Sequence, residues 1–256
     1  MAKAMKCIAT IRKKEMLADG IVSMWMLLPE IAEAAKAGQF VSVYCKNQSR
    51  ILPRPISICE INQEEGMICL VYRIAGEGTK ELAQLSEGDT LEIMGPLGNG
   101  YTLEGEKAIL IGGGIGIPPI LELAKELSCQ KTIVLGYRNE DTFLLDELKQ
   151  YGDVYIATDD GSIGTKGNVV DVLNAHEFDA DIIFACGPTP MLRGVKQYAM
   201  DHQITAQISM EERMACGIGA CLACVCKSKE VDHHSHVNNK RVCKDGPVFY
   251  AEEVEL

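Results

Sequence analysis

The sequence predicts a multidomain α/β protein: an antiparallel β-barrel, then a parallel-sheet α/β domain, then a small cysteine-rich region. Three observations carry this expectation. Six short runs rich in β-formers fill the first hundred residues, apolar runs alternate with helical patterns from about residue 107, and five of the eleven cysteines crowd into residues 216–243. At 256 residues the chain is long enough for two or three small domains and for a core that needs no disulfides. Hydrophobic residues make up 47% and charged residues 24%, which excludes a disordered or collagen-like chain.

The barrel rests on the runs KCIATIRKKEM, IVSMWMLL, QFVSVYCK, RPISICEI, MICLVYRIA and DTLEIMGP, with Gly20, Gly38, Asn47, Gly66 and Gly88 between them. Six strands at this spacing favour a small antiparallel barrel or sandwich over residues 1–99. One short helix, residues 79–85, is expected to interrupt them after Gly76-Glu77-Gly78. The turn-rich stretch Gly95-Pro96-Leu97-Gly98-Asn99-Gly100 marks a boundary. Beyond it, strands are expected at 107–113, 132–138, 154–159, 181–187 and 205–211. Helices are expected at 118–128, 141–151, 168–175 and 190–202. In the first of these, Ile120, Leu123, Ala124 and Leu127 share one face. Repeated β-α units imply a parallel sheet covered on both faces, here over residues 100–210. Residues 211–256 abandon both patterns and close on the apolar stretch PVFYAEEVEL.

Charge and thiol content narrow the function. Lys+Arg is 25 and Asp+Glu is 36, a net charge of −11, which is a poor match for a phosphate-backbone binder. No apolar run approaches the roughly 20 residues that span a bilayer. The first residues, MAKAMKCIATIRKKEM, carry no apolar export signal, so a cytoplasmic chain is expected. In a reducing compartment, thiols are core residues or metal ligands more often than disulfides. Cys7, Cys45, Cys59, Cys69, Cys129 and Cys186 are scattered singly and read as small core residues.

The remaining cysteines read differently. Cys216, Cys221 and Cys224 follow a C-x4-C-x2-C spacing, and Cys243 comes 18 residues later. This is the plant-type [2Fe–2S] spacing. Four thiolates must converge on two irons, so the chain has to wrap tightly; Gly217 and Gly219 permit the turn and let amides face the sulfurs. A structural zinc site, the competing reading, usually shows paired C-x2-C knuckles, and only Cys221/Cys224 forms one. Cys226 reads as a packed neighbour, not a ligand. His233, His234 and His236 read as part of a solvated polar loop, with a metal role as the sharper alternative.

Two further sets of residues suit a flavin and a nicotinamide dinucleotide. Arg54-Pro55-Ile56-Ser57 opens a strand, where Arg can pair with a pyrophosphate and Ser can reach a flavin edge. Tyr72-Arg73 lies on the next strand, where the Tyr ring can pack on flavin or adenine. Gly76-x-Gly78-Thr79 opens a helix whose N-terminus is a ready anion site. Arg54, Arg73 and the amides at Gly78-Thr79 are expected to converge on one diphosphate. Gly112, Gly113, Gly114 and Gly116 lie between a strand and a helix begun by Pro118-Pro119, as a dinucleotide phosphate requires, although the spacing is not G-x-G-x-x-G. Cys186-Gly187-Pro188 follows a later strand, where Gly admits a ring close to the backbone and Cys can line a nicotinamide pocket. Thr158 to Ser162 closes the preceding strand at the carboxyl edge of the sheet. Arg138 is the one candidate for meeting a 2′-phosphate, against an ordinary solvated role.

In this order the motifs resemble the ferredoxin reductase family. MEERMACGIGACLACVC with VCKDGPVF is similar to the electron-transfer subunits of B-type dihydroorotate dehydrogenases within it. The resemblance covers essentially the whole chain. It implies an FAD-binding barrel, an NAD-binding domain and a [2Fe–2S] region. It implies cluster ligands Cys216, Cys221, Cys224 and Cys243. It implies FAD contacts at Arg54, Pro55, Ile56, Ser57, Val71, Tyr72, Arg73, Gly78 and Thr79. It implies NADH contacts at Gly112, Gly113, Gly114, Gly116, Cys186, Gly187 and Pro188. No side chain is assigned a catalytic role, because the cofactors carry the hard chemistry. The implied partner is an FMN-containing catalytic subunit oxidising dihydroorotate to orotate in pyrimidine biosynthesis, in a hetero-oligomer with two of each subunit. One departure is the 18-residue spacing before Cys243, longer than the family pattern.

Two alternatives stay open. An NAD(P)H reductase subunit serving ferredoxin, sulfur or hydrogenase partners shares the same chemistry. A zinc-stabilised interaction module on a flavin scaffold has none of it.

Overall fold

In the computed structural model, which describes residues 4–231 and 236–256, the first hundred residues close into a six-stranded barrel. Its elements are β1 (Met5–Ala18), β2 (Ile21–Leu27), α1 (Pro29–Ala34), β3 (Phe40–Tyr44), β4 (Arg54–Asn62), β5 (Met67–Arg73), α2 (Glu77–Gln84) and β6 (Thr90–Leu97). The order around the barrel is β1-β2-β5-β4-β3-β6, and β6 pairs with both β1 and β3 to close it. The period-2 pattern of a strand explains how one segment serves two cores. Along β2, Val22, Met24 and Met26 fill the barrel with Ile58, Ile68, Leu70 and Ile93. Ile21 faces outward and joins Cys69, Val71 and the apolar residues of the second domain.

That second domain is built on β7 (Lys107–Gly113), α3 (Pro118–Glu126), β8 (Gln130–Tyr137), α4 (Leu145–Leu148), β9 (Asp153–Thr158) and β10 (Thr165–Lys166). It continues with α5 (Val169–Ala175), β11 (Ile182–Cys186), α6 (Thr189–His202) and β12 (Thr205–Ser209). The C-terminal region adds the small ribbon of β13 (Val225–Lys227) and β14 (Asn239–Arg241), then β15 (Val248–Tyr250). The sheet order is β10-β9-β8-β7-β11-β12-β15. Its direction of progression reverses between β7 and β11, the switch point at which open α/β sheets bind ligands. Ile109, Leu110, Ile111, Ile133, Val134 and Leu135 are all fully buried, as strands covered on both faces require.

The barrel is fixed to this sheet by α3. Glu122 is 4% exposed, and its Oε2 accepts the Ile61 N–H at 2.8 Å. The Lys125 ammonium donates to the Ile61 carbonyl at 3.1 Å. A polar pair so placed satisfies the end of β4 and sets the angle between the two domains.

The structure corrects the expected secondary structure in four places. Two helices interrupt the barrel strands, not one: α1 was missed because only Ile31 and Ala32 are buried in its six residues, too few to show a period. The helix expected over 141–151 shrinks to α4. Leu144 adopts φ +62, because Phe143 and Leu144 must both be buried and the Phe143 carbonyl accepts the Tyr137 hydroxyl at 3.0 Å. Tertiary packing wins there over local helical preference. The edge strand β10 was not foreseen. Nor is the sheet wholly parallel: β15 pairs antiparallel with β12 through Gln207↔Tyr250 and Ser209↔Val248. Of the scattered cysteines, Cys59, Cys69 and Cys186 are buried as expected, whereas Cys7, Cys45 and Cys129 are only half-buried.

One helix terminus gives a direct stability test. The Asn168 side chain accepts the Val170 N–H at 2.8 Å, and Asp171 accepts the Asn168 N–H at 2.7 Å, a reciprocal cap on α5. Asn168→Ala should lower stability by about 1 kcal/mol, read as a lower denaturant midpoint with an unchanged slope.

Candidate functional site

A cavity of about 680 Å³ opens between the barrel and the carboxyl edge of the sheet. The β1–β2 turn at Gly20, Arg73 at the end of β5, Gly113 and Gly114 at and just after the end of β7, and Tyr137 and Arg138 at and just after the end of β8 all line it. Asp159 and Pro188, after β9 and β11, Met191 in α6 and Glu211 after β12 also line it. Arg73 lies 3.6 Å from where a Cβ on Gly114 would sit. It also faces Glu211. Partial desolvation in the cavity wall raises the Glu211 carboxyl from its ordinary value, and Arg73 draws it back. Glu211 and Met191 were not singled out from the sequence, since an acidic residue after a strand and a methionine in a helix carry no distinctive signal.

The glycine turn is shaped by close approach. A Cβ on Gly116 would stand 2.5 Å from the Cys186 carbonyl carbon and 2.6 Å from the Gly187 nitrogen. The two expected nucleotide segments therefore touch backbone to backbone. Gly113 instead faces the end of the Met191 side chain, a contact with a flexible group and not with backbone. Cys186 itself is 2% exposed and is not among the residues lining the cavity; burial pushes its thiol up to about 12. Pro188, Gly113 and Gly114 do line it, whereas Gly112, Gly116 and Gly187 lie buried behind.

The second set of residues gathers around the start of β4. The Arg54 side chain packs so tightly on Gly78 that any Cβ there would overlap the guanidinium. Arg54 also donates to the Leu52 carbonyl. The Thr79 hydroxyl accepts from the Ala75 and Gly76 amides at 2.9 and 3.1 Å and donates to the Gly76 carbonyl at 3.0 Å, so it closes the turn into α2. Arg73, expected to converge with Arg54 on one diphosphate, lines the cavity at the glycine turn. Ile56 and Val71 are buried, Ser57 is half-buried and Pro55 is exposed. Tyr72 is 4% exposed, and its hydroxyl is the one buried side-chain oxygen or nitrogen without a hydrogen-bond partner among the described residues. Desolvation pushes that phenol well above its ordinary range.

The cysteine loop packs against the barrel. A Cβ on Gly217 would stand 2.8 Å from Ser42 Oγ on β3 and 3.4 Å from Leu97 on β6. Gly217 and Gly219 have φ of +69 and +82, the left-handed conformation expected of them. The Gly219 amide donates to Cys243 Sγ at 3.1 Å, the Ala220 amide to Cys216 Sγ at 3.3 Å, and the Cys243 amide to Cys224 Sγ at 3.4 Å. Burial opposes ionisation of Cys216, but the amides of Ile218, Cys221 and Ala220 and the Cys221 thiol outweigh it and bring Cys216 down to about 7. The Cys243 thiol, with several amides, brings Cys224 down to about 6, while Cys243, sharing that proton, is pushed up. The strongest thiol–thiol interactions thus join Cys216 with Cys221 and Cys224 with Cys243, with Cys216 bearing more weakly on Cys243. Among the described residues, no three of them lie within 4.8 Å of one another. A single tetrahedral zinc would bring all four to about 3.8 Å separations. Cys226 is buried by its neighbours, which push its thiol up to about 11, and it donates to the Lys240 carbonyl at 3.5 Å. His233 and His234 lie outside the described residues; His236 is exposed.

A flavin-type barrel, a switch-point cavity and a four-cysteine loop together define an iron–sulfur oxidoreductase of the ferredoxin reductase fold. Family comparisons agree. Residues 9–101 match the oxidoreductase FAD-binding domain and residues 110–197 the oxidoreductase NAD-binding domain. Residues 211–255 match the iron-sulfur cluster binding domain of dihydroorotate dehydrogenase B. The chain is 46% identical over 219 residues to the dihydroorotate dehydrogenase B (NAD(+)) electron transfer subunit of Caldanaerobacter subterraneus subsp. tengcongensis, covering 85% of this chain and 86% of that one. It is 44% identical to the Streptococcus pneumoniae (strain R6) protein of the same name, over 99% and 98% of the two chains. A solved NADH-dependent reduced ferredoxin-NADP oxidoreductase superposes with a TM-score of 0.87 at 31% identity, over 97% of this chain and 90% of that one. This chain belongs to the family of dihydroorotate dehydrogenase B electron transfer subunits.

Proposed function

We propose that this chain takes electrons from NADH and delivers them, through FAD and a [2Fe–2S] cluster, to a separate FMN-containing subunit that oxidises dihydroorotate to orotate in pyrimidine biosynthesis. The complex would hold two of each subunit in the cytoplasm. The division is 1–99 for FAD, 100–210 for NADH and 211–256 for the cluster. The observation that carries this reading is the pairing of the four cysteines on a loop seated against the barrel wall. Two sulfur pairs suit two irons, Cys216 and Cys221 on one, Cys224 and Cys243 on the other, and do not suit one zinc.

The remaining residues fit the two nucleotide groups. Arg54, clasped on Gly78 at the N-terminus of α2, supplies a guanidinium and free amides for the FAD diphosphate. Tyr72 has a buried hydroxyl awaiting a partner, which a flavin ribityl chain or diphosphate supplies. Pro55, Ile56, Ser57 and Val71 line the strands that would carry the flavin ring, and Thr79 holds the turn that presents Gly78. Gly112, Gly113, Gly114 and Gly116, with Cys186, Gly187 and Pro188, shape the floor of the NADH cavity. Arg73 and Glu211 face each other across it. Flavin, when bound, takes two electrons from a hydride and gives them up singly, which an iron–sulfur cluster requires. The protein's own part is to hold the two nucleotides in contact and the thiolates ready beside the barrel.

The purified chain, loaded with its cofactors, should reduce an artificial dye with NADH and should not oxidise dihydroorotate until the catalytic subunit is added. Dihydroorotate oxidation by the chain alone would contradict this division of labour. One specific observation supports a second reading: the solved relative at TM-score 0.87 is named for ferredoxin and NADP. NADH-driven reduction of a ferredoxin at a rate matching that of the catalytic subunit would favour it.

A further inference from the structure

We propose that Arg241 polarises the peptide that hydrogen-bonds Cys216, and thereby raises the reduction potential of the cluster; this rests on the iron–sulfur reading above. Arg241 ends β14, two residues before Cys243. Its backbone N–H and its Nε donate to Asp245 Oδ2 at 2.8 and 3.0 Å, and its Nη2 donates to Asp245 Oδ1 at 3.1 Å. The guanidinium is therefore fixed by a two-point fork, with a side chain only 12% exposed. The remaining arm, Nη1, reaches the Gly219 carbonyl at 3.5 Å.

That carbonyl and the Ala220 N–H are the two ends of one planar peptide. The Ala220 end donates to Cys216 Sγ at 3.3 Å. A cation at the carbonyl end withdraws electron density and strengthens the N–H donor at the other end. The contact is at the long limit for a hydrogen bond, and Asp245 offsets the net charge of the guanidinium, so what acts on the peptide is the nearby positive Nη1 arm of an oriented ion pair whose carboxylate sits on the opposite edge, at Nε and Nη2. The adjoining Gly219 N–H donates to Cys243 Sγ, so a single side chain touches the segments that carry ligands on both sides of the 18-residue spacing. Donors to the sulfurs favour the reduced, more negative cluster and raise its potential. Lysine cannot replace the fork: a single ammonium meets either Asp245 or Gly219 well, not both in the same geometry.

The test compares the wild type, Arg241→Met and Arg241→Lys as full-length, reconstituted chains. The cluster midpoint is read by paramagnetic resonance during a redox titration, and the FAD midpoint by absorbance in the same samples. Both variants should keep their iron and FAD. At the wild-type midpoint, their ratio of reduced to oxidised cluster should fall about tenfold, or ~59 mV for one electron. The FAD midpoint should not move. An unchanged cluster midpoint in iron-replete variants overturns the proposal. So does loss of iron from both, which leaves Arg241 a structural role only. A wild type that binds no iron defeats the iron–sulfur reading instead, a separable result.

Discussion

Cys221→Ser should remove most of the iron from the protein while leaving FAD binding and NADH-driven dye reduction in place. Cys221 is the exposed member of its pair, whereas Cys224 and Cys243 are 2% exposed. Its replacement costs little packing, so the chain should still fold. The barrel residues around Arg54, Gly78 and Tyr72 make no use of it. A hydroxyl is a poor ligand for iron at neutral pH, and losing a ligand outright should weaken metal binding by more than the roughly 10–100-fold that losing an outer hydrogen-bond partner costs. Iron and acid-labile sulfide analysis beside flavin fluorescence would check it. Retention of full iron would remove Cys221 from the ligand set.

Gly116→Ala should weaken both the fold and NADH binding. The added methyl meets backbone atoms of Cys186 and Gly187 at 2.5–2.6 Å, and backbone cannot rotate away as a side chain does. Relief requires the turn after β7 to move away from the end of β11 at the switch point of the sheet. Forcing an extra carbon into such a place costs about 1–3 kcal/mol. The same movement shifts Gly113, Gly114 and Pro188, which line the cavity. The Michaelis constant for NADH should therefore rise, with FAD content unchanged, because the barrel site lies elsewhere. Thermal melts and steady-state dye reduction give the two readouts. A variant with wild-type stability and NADH affinity would show that the turn yields more easily than its contacts imply.

Much of this architecture was legible in the residues themselves. Six β-rich runs with punctuating turns pointed to a small barrel or sandwich, because β-branched and apolar residues between turn formers suit short paired strands; that β2 buries both faces, Val22, Met24 and Met26 inside the barrel and Ile21 against the second domain, is not visible in such a run. The cysteine spacing was equally open to reading, since a compact ligand loop must be short and glycine-bearing. What escaped depends on contacts distant in sequence. Leu144 takes a left-handed conformation because Phe143 packs edge-on against Tyr137, which no local pattern records. The strand β15 looked like an apolar tail, and only the open edge of β12 makes it a strand. Glu211 and Met191 enter the cavity through the ends of β12 and α6, positions that carry no distinguishing residue type. The same holds for Arg241, whose bearing on Cys216 passes through a peptide 22 residues earlier in the chain.

The central claim is that one chain joins a hydride-accepting flavin to an iron pair. An anaerobic titration with NADH, followed by visible absorbance and low-temperature paramagnetic resonance on a sample of known FAD, iron and sulfide content, tests it most directly. The account predicts one FAD, two irons and two sulfides per chain, as a [2Fe–2S] cluster requires. It predicts bleaching of the flavin bands, and a spin-one-half signal that grows with added NADH. A colourless protein carrying zinc, or a flavin that bleaches while no iron signal develops, would contradict it.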